Sequence, residues 1–424
     1  MRAQLFWAVL WKGTGILATF LGTLLVTRTL GLQQAGWVAL GQSTAMVVST
    51  VALLGMDTAA MRELSAYLAR GMQHAASSLV ATALLGGLLA TVIVVIMSAG
   101  VVGIGHASGL FFLQDGPIML IGIATAAGLA GSRLIGELLR ATGAIGPAVW
   151  FQGAFGPLLT VTGMFLCRHF LSDRLALSII VAGECSSAAW AWLWWHRVWL
   201  TPVPRPNVRM LKTLVRSGLA IFLISLGTAL IGWVEIMALN HWNDAGSIAL
   251  FSLAVRVASL VAMPLLVINL VAAPRYAACY AVRDMARLKA LATQVIGFSC
   301  LVGVPLIACL LGFGPQILRI FGPEFVAAND SLRIVLVGQF ANMLCGPVIY
   351  LLMMSGKERT GLACVMLAVL VDMISVSILV PRHGLTGAAI SNALGVSVMN
   401  IGAAIMTFRD LFRQPTAIPQ PTDA

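Results

Sequence analysis

Apolar residues fall along this chain in long runs, not in the period of a soluble helix or strand. Runs of about 20 apolar residues, the length that crosses a bilayer as a helix, recur at 5–27, 35–56, 77–101, 117–140, 145–167, 175–196, 214–239, 247–271, 291–313, 331–354, 360–380 and 384–407. The interruptions carry turn chemistry, as at Gly31-Leu32-Gln33-Gln34, Asp115-Gly116-Pro117, Gly146-Pro147 and Pro381-Arg382-His383-Gly384. The pattern predicts an all-α polytopic membrane protein of about twelve transmembrane helices. Its connecting segments are short. The longest outer one, 314–330, contains GPQILRIFGPEF and reads as a partly helical loop, too small for a soluble catalytic domain.

The pattern also repeats. Ala245-Gly246-Ser247-Ile248-Ala249-Leu250 echoes Ala35-Gly36-Trp37-Val38-Ala39-Leu40 at an offset of 210. Arg275, Tyr280, Arg283 and Met285 match Arg62, Tyr67, Arg70 and Met72 at 213, and Arg382-His383 matches Arg168-His169 at 214. Three ordered echoes at nearly one offset predict two homologous halves, as in many transporters built from internal repeats. The expected organisation is an N-terminal six-helix lobe over 1–200, a linker over 201–216, a C-terminal six-helix lobe over 217–413 and a disordered tail over 414–424. In the linker, Thr201-Pro202-Val203-Pro204-Arg205-Pro206 is extended, because alternating prolines remove donors. Asn207 then caps a helix from Val208, with Arg209, Lys212 and Arg216 on one face and Leu211, Leu214 and Val215 on the other. Such a segment is expected in the cytoplasmic headgroup layer.

Composition agrees: 59% of the 424 residues are hydrophobic and 10% charged, with a mean hydropathy of +0.96. Lys and Arg number 26 against 15 Asp and Glu, but their placement speaks of membrane orientation, not nucleic acid. Seventeen lie in alternate segments that include both termini, six lie in the opposite ones, and Lys12, Arg133 and Arg256 lie within spans. The positive-inside rule then places both termini in the cytoplasm. The seven cysteines form no CxxC pair, the six histidines show no ligand spacing, and there is no GxxxxGK[ST] loop or nucleophile triad. No metal, cofactor, ATP-driven step or enzymatic chemistry is therefore expected.

The charges inside spans are where function is expected, since a guanidinium near the bilayer centre costs roughly 2.5–3.5 kcal/mol or more and faces protein or a wet cavity. At 1.5 Å rise per residue, Glu184, Arg256 and Asp372 fall near the midplane. Lys12, Arg133 and Glu137 fall toward the inner face; Glu235 falls toward the outer, about one turn from its span end, and is either a functional group or a side chain that snorkels to the surface. Arg133 and Glu137, spaced i, i+4, either neutralise each other or serve the cavity. Ser252 and Ser259 flank Arg256 in one polar stripe, so Arg256 is either a ligand in a hydrated cavity or one half of a structural pair with Asp372 or a Glu. Gln42, Gln152, Gln339, Asn342, Asn392 and Asn400 complete the interior polar groups, for a wet lining or interhelical bonds.

Several stretches resemble one family. ILRIFGPEFVAANDSLRIVLVGQF (317–340), LLMMSGKERTG (351–361) and SILVPRHGLTGAAISNALG (377–395) look like the lipid-linked oligosaccharide flippases of the polysaccharide transporter family. So do RTLGLQQAGWVAL (28–40) and LGMDTAAMRELS (54–65), and Glu235 stands where relatives commonly carry Asp. The resemblance implies the multidrug/oligosaccharidyl-lipid/polysaccharide superfamily fold, two six-helix lobes forming a V around a central cavity. It implies alternating-access flipping of an undecaprenyl-pyrophosphate-linked sugar repeat unit across the bacterial inner membrane, for O-antigen, capsule or exopolysaccharide. The polysaccharide polymerase and chain-length machinery are the implied protein partners. Arg256, Arg133, Lys12, Gln42, Gln339 and Asn342 are the expected headgroup and cavity ligands. Glu235, Glu184, Asp372 and Glu137 are the expected cavity or coupling-ion carboxylates. The competing expectation is a cation-coupled multidrug exporter of the same superfamily.

Overall fold

The protein is described by a computed structural model covering residues 2–107, 116–199, 206–281, 284–355 and 357–409. Its described residues form helices α1 (Arg2–Leu53), α2 (Met56–Ala69), α3 (Gln73–Ala107), α4 (Gly116–Ala141), α5 (Ile145–Gly153), α6 (Phe155–Leu166) and α7 (Asp173–Val198). Then follow α8 (Val208–Trp242), α9 (Ala245–Ala258), α10 (Met263–Ala281), α11 (Met285–Phe321), α12 (Asn329–Cys345), α13 (Val348–Met354) and α14 (Glu358–Thr407). Nine helical segments among these residues are long and apolar enough to span a membrane.

Two of them are double spans. In α1 the helical path breaks at Gly31 (φ 75°, ψ −176°), a backbone region open to glycine because it lacks Cβ. The chain reverses there. Thr23 and Gln42 would stand about 28 Å apart on a straight helix, yet both bond to the guanidinium of Arg256. In α14 the break is Gly384 (φ 51°, ψ −125°), and Gly387 lies directly against the Leu379 carbonyl. Both reversals fall in the turn sequences expected from the chain.

Where the sequence reading and the structure part, the cause is local. The polar stretch after the second span, read as a loop, folds into α2 behind Gly55 (φ 72°). It buries Ala59, Ala60 and Leu64 against α3, α4 and the helix that begins at Val208. The 314–330 segment is not a loop either: α11 runs on to Phe321 and a 3₁₀ helix covers Pro323–Ala328. The expected fifth span is divided at Ala154 and the tenth at Gly346 (φ 69°) and Pro347. Asn207 does cap a helix, accepting from the Arg209 N–H at 2.9 Å, but that helix runs without a break into the seventh span. Leu214 is fully buried in a cluster with Leu79, Leu138 and Trp195, while Arg209, Lys212 and Arg216 are exposed. The apolar face thus packs on the first lobe, not on lipid headgroups. Thr201–Arg205 and the 414–424 tail lie outside the described residues.

The lobes meet most closely on the face that carries Gly31 and Asn243, here called the far face. The near face carries the start of α1. On the far face the two repeated segments touch each other. A Cβ on Gly36 would lie 1.8 Å from the Ala245 carbonyl oxygen. Gln33 donates to Asp244 at 2.7 Å and accepts from the Gly246 N–H at 3.2 Å. Arg28 donates to the Ile320 and Arg319 carbonyls at 2.7 and 3.3 Å, capping the end of α11, where a helix is electronegative. Beneath this seal one apolar cluster joins Val26, Val38 and Leu177 to Leu253, Phe325 and Leu336.

Candidate functional site

A cavity of about 1000 Å³ lies between the lobes below the far-face seal. Spans from both repeats build it: both arms of α1, α4, α5, α6 and α7 on one wall, and α8, α9, α10, α12, α13 and α14 on the other. Most of its lining is Ala, Val, Met, Ser and Thr, so the few charged groups dominate its field. Those among the described lining residues are Lys12, Arg133 and Glu184 from the first lobe and Arg256 from the second.

Arg256 is the best-defined of them. It reaches across the cavity from α9 to both arms of α1, donating Nη1 to Thr23 Oγ1 and Nη2 to Gln42 Oε1, the latter at 3.0 Å. Its own carbonyl accepts from Ser259, and Ser252 lines the cavity beside it. No carboxylate pairs with it among the described residues. The structural pair with Asp372 or a Glu is therefore not formed. A guanidinium bonded only to neutral oxygens keeps its full charge facing the cavity, where a low dielectric magnifies it.

The first-lobe cations differ. Arg133 is tied to Asp57 of α2 at 3.1 Å and to Thr50 at 3.3 Å. Its expected partner Glu137 turns instead to Arg140, at 3.0 Å, and to the Gln152 amide at 3.2 Å. Both arginines lie within a turn of Glu137 on α4, so helix spacing alone permits either pair. Asp57 decides the matter by taking Arg133. Lys12 and Glu184 lie against α5 and α6 at different points. Lys12 Nζ is the nearest atom to a Cβ on Gly153, and the Glu184 carboxylate the nearest to one on Gly156.

Asn342 lines the cavity, whereas Gln339, bonded to it at 3.5 Å, does not. One turn of α12 carries Gln339 away from the lumen. Glu137 is likewise off the lining. Glu235 and Asp372 are not on the lining either. Both are fully buried inside the second lobe, so Glu235 does not reach for the membrane surface. At the break of α8 between Ile231 and Gly232 (φ 105°), the freed Gly232 N–H donates to Glu235 at 2.6 Å. Asn392 donates to the other oxygen at 2.9 Å. Asp372 lies beside Glu235 with no donor to either of its oxygens. Two adjacent buried carboxyls cannot both stay ionised without a cation or shared proton between them.

The sequence reading missed Thr23, Asp57, Asn269 and Tyr350. Thr23 had no signal beyond a hydroxyl in an apolar span. Asp57 had one: an acid two residues after Gly55, in the first turn of a short helix.

A family model described as MatE matches residues 220–379, well under half of the chain. No curated protein matches significantly. Among solved structures, an inward-facing multidrug resistance MATE family transporter of the MOP superfamily superposes with a TM-score of 0.75 at 16% identity, covering 93% of this chain and 94% of that one. The lipid II flippase MurJ in an inward closed conformation gives 0.73 at 11% identity, covering 94% and 87%. A MOP superfamily transporter from Pyrococcus furiosus, described by the reverse polarity of its binding pocket, gives 0.69 at 17% identity, covering 97% and 96%. These likenesses extend over essentially the whole chain. The protein is a multi-pass membrane protein with the two-lobed MATE fold of the MOP superfamily.

Proposed function

We propose that this protein is a flippase that moves undecaprenyl-pyrophosphate-linked oligosaccharide units across the bacterial inner membrane by alternating access, with both termini cytoplasmic. It acts as a carrier, not an enzyme, and needs no cofactor. The observation that carries the reading is Arg256: a guanidinium inside the cavity that bonds to neutral oxygens and has no carboxylate partner among the described residues. Anionic headgroups are what such a site binds, and its planar fork suits phosphate oxygens. Lys12 and Arg133 stand in the same cavity, Lys12 toward the near face, so a headgroup arriving from the cytoplasm meets cations first. Gln42 and Asn342 offer hydrogen bonds to the headgroup or sugar.

The far-face seal and the cavity below it correspond to a cytoplasm-facing state on this reading. Glu235 and Asp372, closed off from the lumen, are the coupling site for a proton or sodium ion. Polymerase and chain-length proteins are the partners that would take the product. Loss of the protein should stop polysaccharide display and leave lipid-linked units on the cytoplasmic leaflet. Labelling of engineered cysteines should report Asn243 outside and Asn207 inside. Normal polysaccharide in the deletion strain, with cation-driven drug efflux by purified protein, would overturn the assignment. That second reading, a multidrug exporter, has one observation in its favour: Glu184, a carboxylate on the lining.

A further inference from the structure

The cavity has a second, smaller recess behind it. Trp7 and Trp11 of α1, Pro147 and Trp150 of α5, and Trp194 of α7 enclose about 320 Å³ on the outside of the first lobe. The rings are packed, with Trp7–Trp11 at 5.4 Å and Trp11–Trp150 at 4.3 Å between centroids. Trp7 and Trp194 are 46% and 41% exposed, so the groove opens on the surface of the lobe at the near end of its helices.

Two features link this groove to the cavity. The same two helices form the partition: Trp11 faces the groove and Lys12 the cavity, and Phe151 faces the groove and Gln152 the cavity. The partition is tight, because a Cβ on Gly15 would lie 1.7 Å from the Gly153 carbonyl oxygen. Nothing chain-like passes through it. The way round is open, however. On the far side α1 packs along α9, but among the described residues no comparable packing joins α1 to α10. Lys12 of α1 faces Leu265 and Asn269 of α10 across the cavity. The opposite lobe boundary is shut on the near face, where Gly55 and Gly218 meet backbone to backbone. Among the described residues, a lipid-linked headgroup held in the cavity thus has a lateral exit for its chain past the edge of α1.

We propose that this tryptophan groove is the docking site for the polyprenyl chain of the substrate, beside the α1–α10 opening through which that chain leaves the cavity. The inference rests on the flippase reading and adds where the tail lies. Flat, rigid rings hold a methyl-branched, unsaturated chain at little entropic cost, since the rings are already fixed by stacking. Saturated phospholipid chains fit the same space without the branched match, which is what a test must separate.

The experiment uses the full-length protein in nanodiscs, with a long-chain polyprenyl phosphate carrying a diazirine in its first isoprene units, and a diazirine phospholipid as the rival probe. The polyprenyl probe should cross-link to the peptides holding Trp7–Trp11 or Pro147–Phe151 and be displaced by unlabelled polyprenyl phosphate. Trp11→Ala and Trp150→Ala should each cut that cross-link at least fivefold, whereas Trp150→Phe, which keeps a ring and guards against misfolding, should retain it. Binding of a geranyl pyrophosphate, too short to reach the groove, should not change in the alanine variants. Equal labelling and competition by phospholipid, or polyprenyl cross-links elsewhere that ignore the tryptophans, would sink the proposal while leaving Arg256-dependent pyrophosphate binding intact. Absence of any pyrophosphate binding would instead bring down the flippase reading, and this inference with it.

Discussion

Replacing Arg256 by alanine separates a ligand from a structural strut. The guanidinium bonds to Thr23 and Gln42, both neutral, so its removal orphans no buried charge. Truncating one partner of a buried ion pair costs roughly 3–5 kcal/mol, and that cost does not arise here. Stability should fall by about 1–3 kcal/mol, since two bonds to a charged donor are lost while Thr23 and Gln42 stay on the cavity lining, where water can replace it. Substrate binding should suffer far more. One unit-charge contact at about 4 Å is worth about 4 kcal/mol at the effective dielectric of a partly wet site. Engaging phosphate displaces the two existing bonds, each worth roughly 1.5 kcal/mol at the low end for a charged donor. The bidentate fork then makes two bonds of its own, so part of that loss is recovered and the net lies near 2–3 kcal/mol, or about 30- to 150-fold in affinity. Arg256→Lys, which keeps the charge but loses the fork, should fall between. The assay is polyprenyl-pyrophosphate binding to purified protein, read beside thermal unfolding and membrane abundance. Affinity within threefold of the parent would refute the ligand role. Loss of the protein from membranes would refute the claim that Arg256 is not required for folding.

Other perturbations test the far-face seal and the coupling site. Gly36→Ala drives a methyl into the Ala245 carbonyl; overpacking of this kind costs about 1–3 kcal/mol, relieved if the lobes part, so labelling of a cysteine at Ala249 from outside should rise several-fold. Asp244 is held below the usual carboxylate range by the Ser247 hydroxyl first, then by Gln33 and backbone N–H groups, against a smaller opposing effect of burial. Its contribution to the clasp is thus complete above the ordinary Asp range and lost only as pH falls below it; far-face accessibility should be flat from pH 5 to 8, and a midpoint near 6 would contradict the assignment. Asp244→Ala, which removes the α9 cap as well as the Gln33 contact, should cost about 1 kcal/mol and raise that accessibility at every pH. Glu235→Gln and Asp372→Asn should leave pyrophosphate binding within a fewfold of the parent yet abolish ion-gradient-driven flipping in proteoliposomes; unchanged flipping would remove the pair from the coupling role.

Much of the fold was legible because the bilayer imposes a length on every span and glycine marks several of the reversals. Gly31 and Gly384 stand where the turn chemistry placed them, and the repeated AGxxAL segments prove to be neighbours across the lobe boundary. Arg256 was legible for the same reason, since an isolated guanidinium in an apolar run must face something polar. Partners were less so. Glu137 sits between Arg133 and Arg140 on one helix, and the choice between them is made by Asp57, 76 positions away in sequence from Arg133. Depth misled for Glu235, because closeness to a span end says nothing of which way the helix is rotated. The break at Ile231–Gly232, which supplies its N–H donor, has a glycine as its only local mark. Helix α2 escaped notice because its buried face consists of small residues, Ala59 and Ala60 with Leu64, and its polar face reads as a loop.

The separation of the charges bears on how a flippase of this design would work. Among the described residues lining the cavity, Arg256 is the one charged group that the second lobe contributes, while its Glu235 and Asp372 are buried off the lining. Had Glu235 and Asp372 faced the lumen, they would have repelled a pyrophosphate beside Arg256. Enclosed, they can exchange a cation or proton without meeting the substrate. They still have a mechanical handle on it, because the Glu235 donor Gly232 is the break in α8, and the first turns of α8 are packed into the first lobe through Leu214 and Gly218. A change of charge at the pair alters how firmly that break is held, and the helix carries the change to the lobe boundary. Arg256 bridges the same boundary from the other side, through Thr23 and Gln42. A phosphate that draws the guanidinium away loosens the lobes where they are bonded across the cavity. Substrate and coupling ion would then act on one equilibrium, the rocking of two lobes, from two sites that never share a ligand.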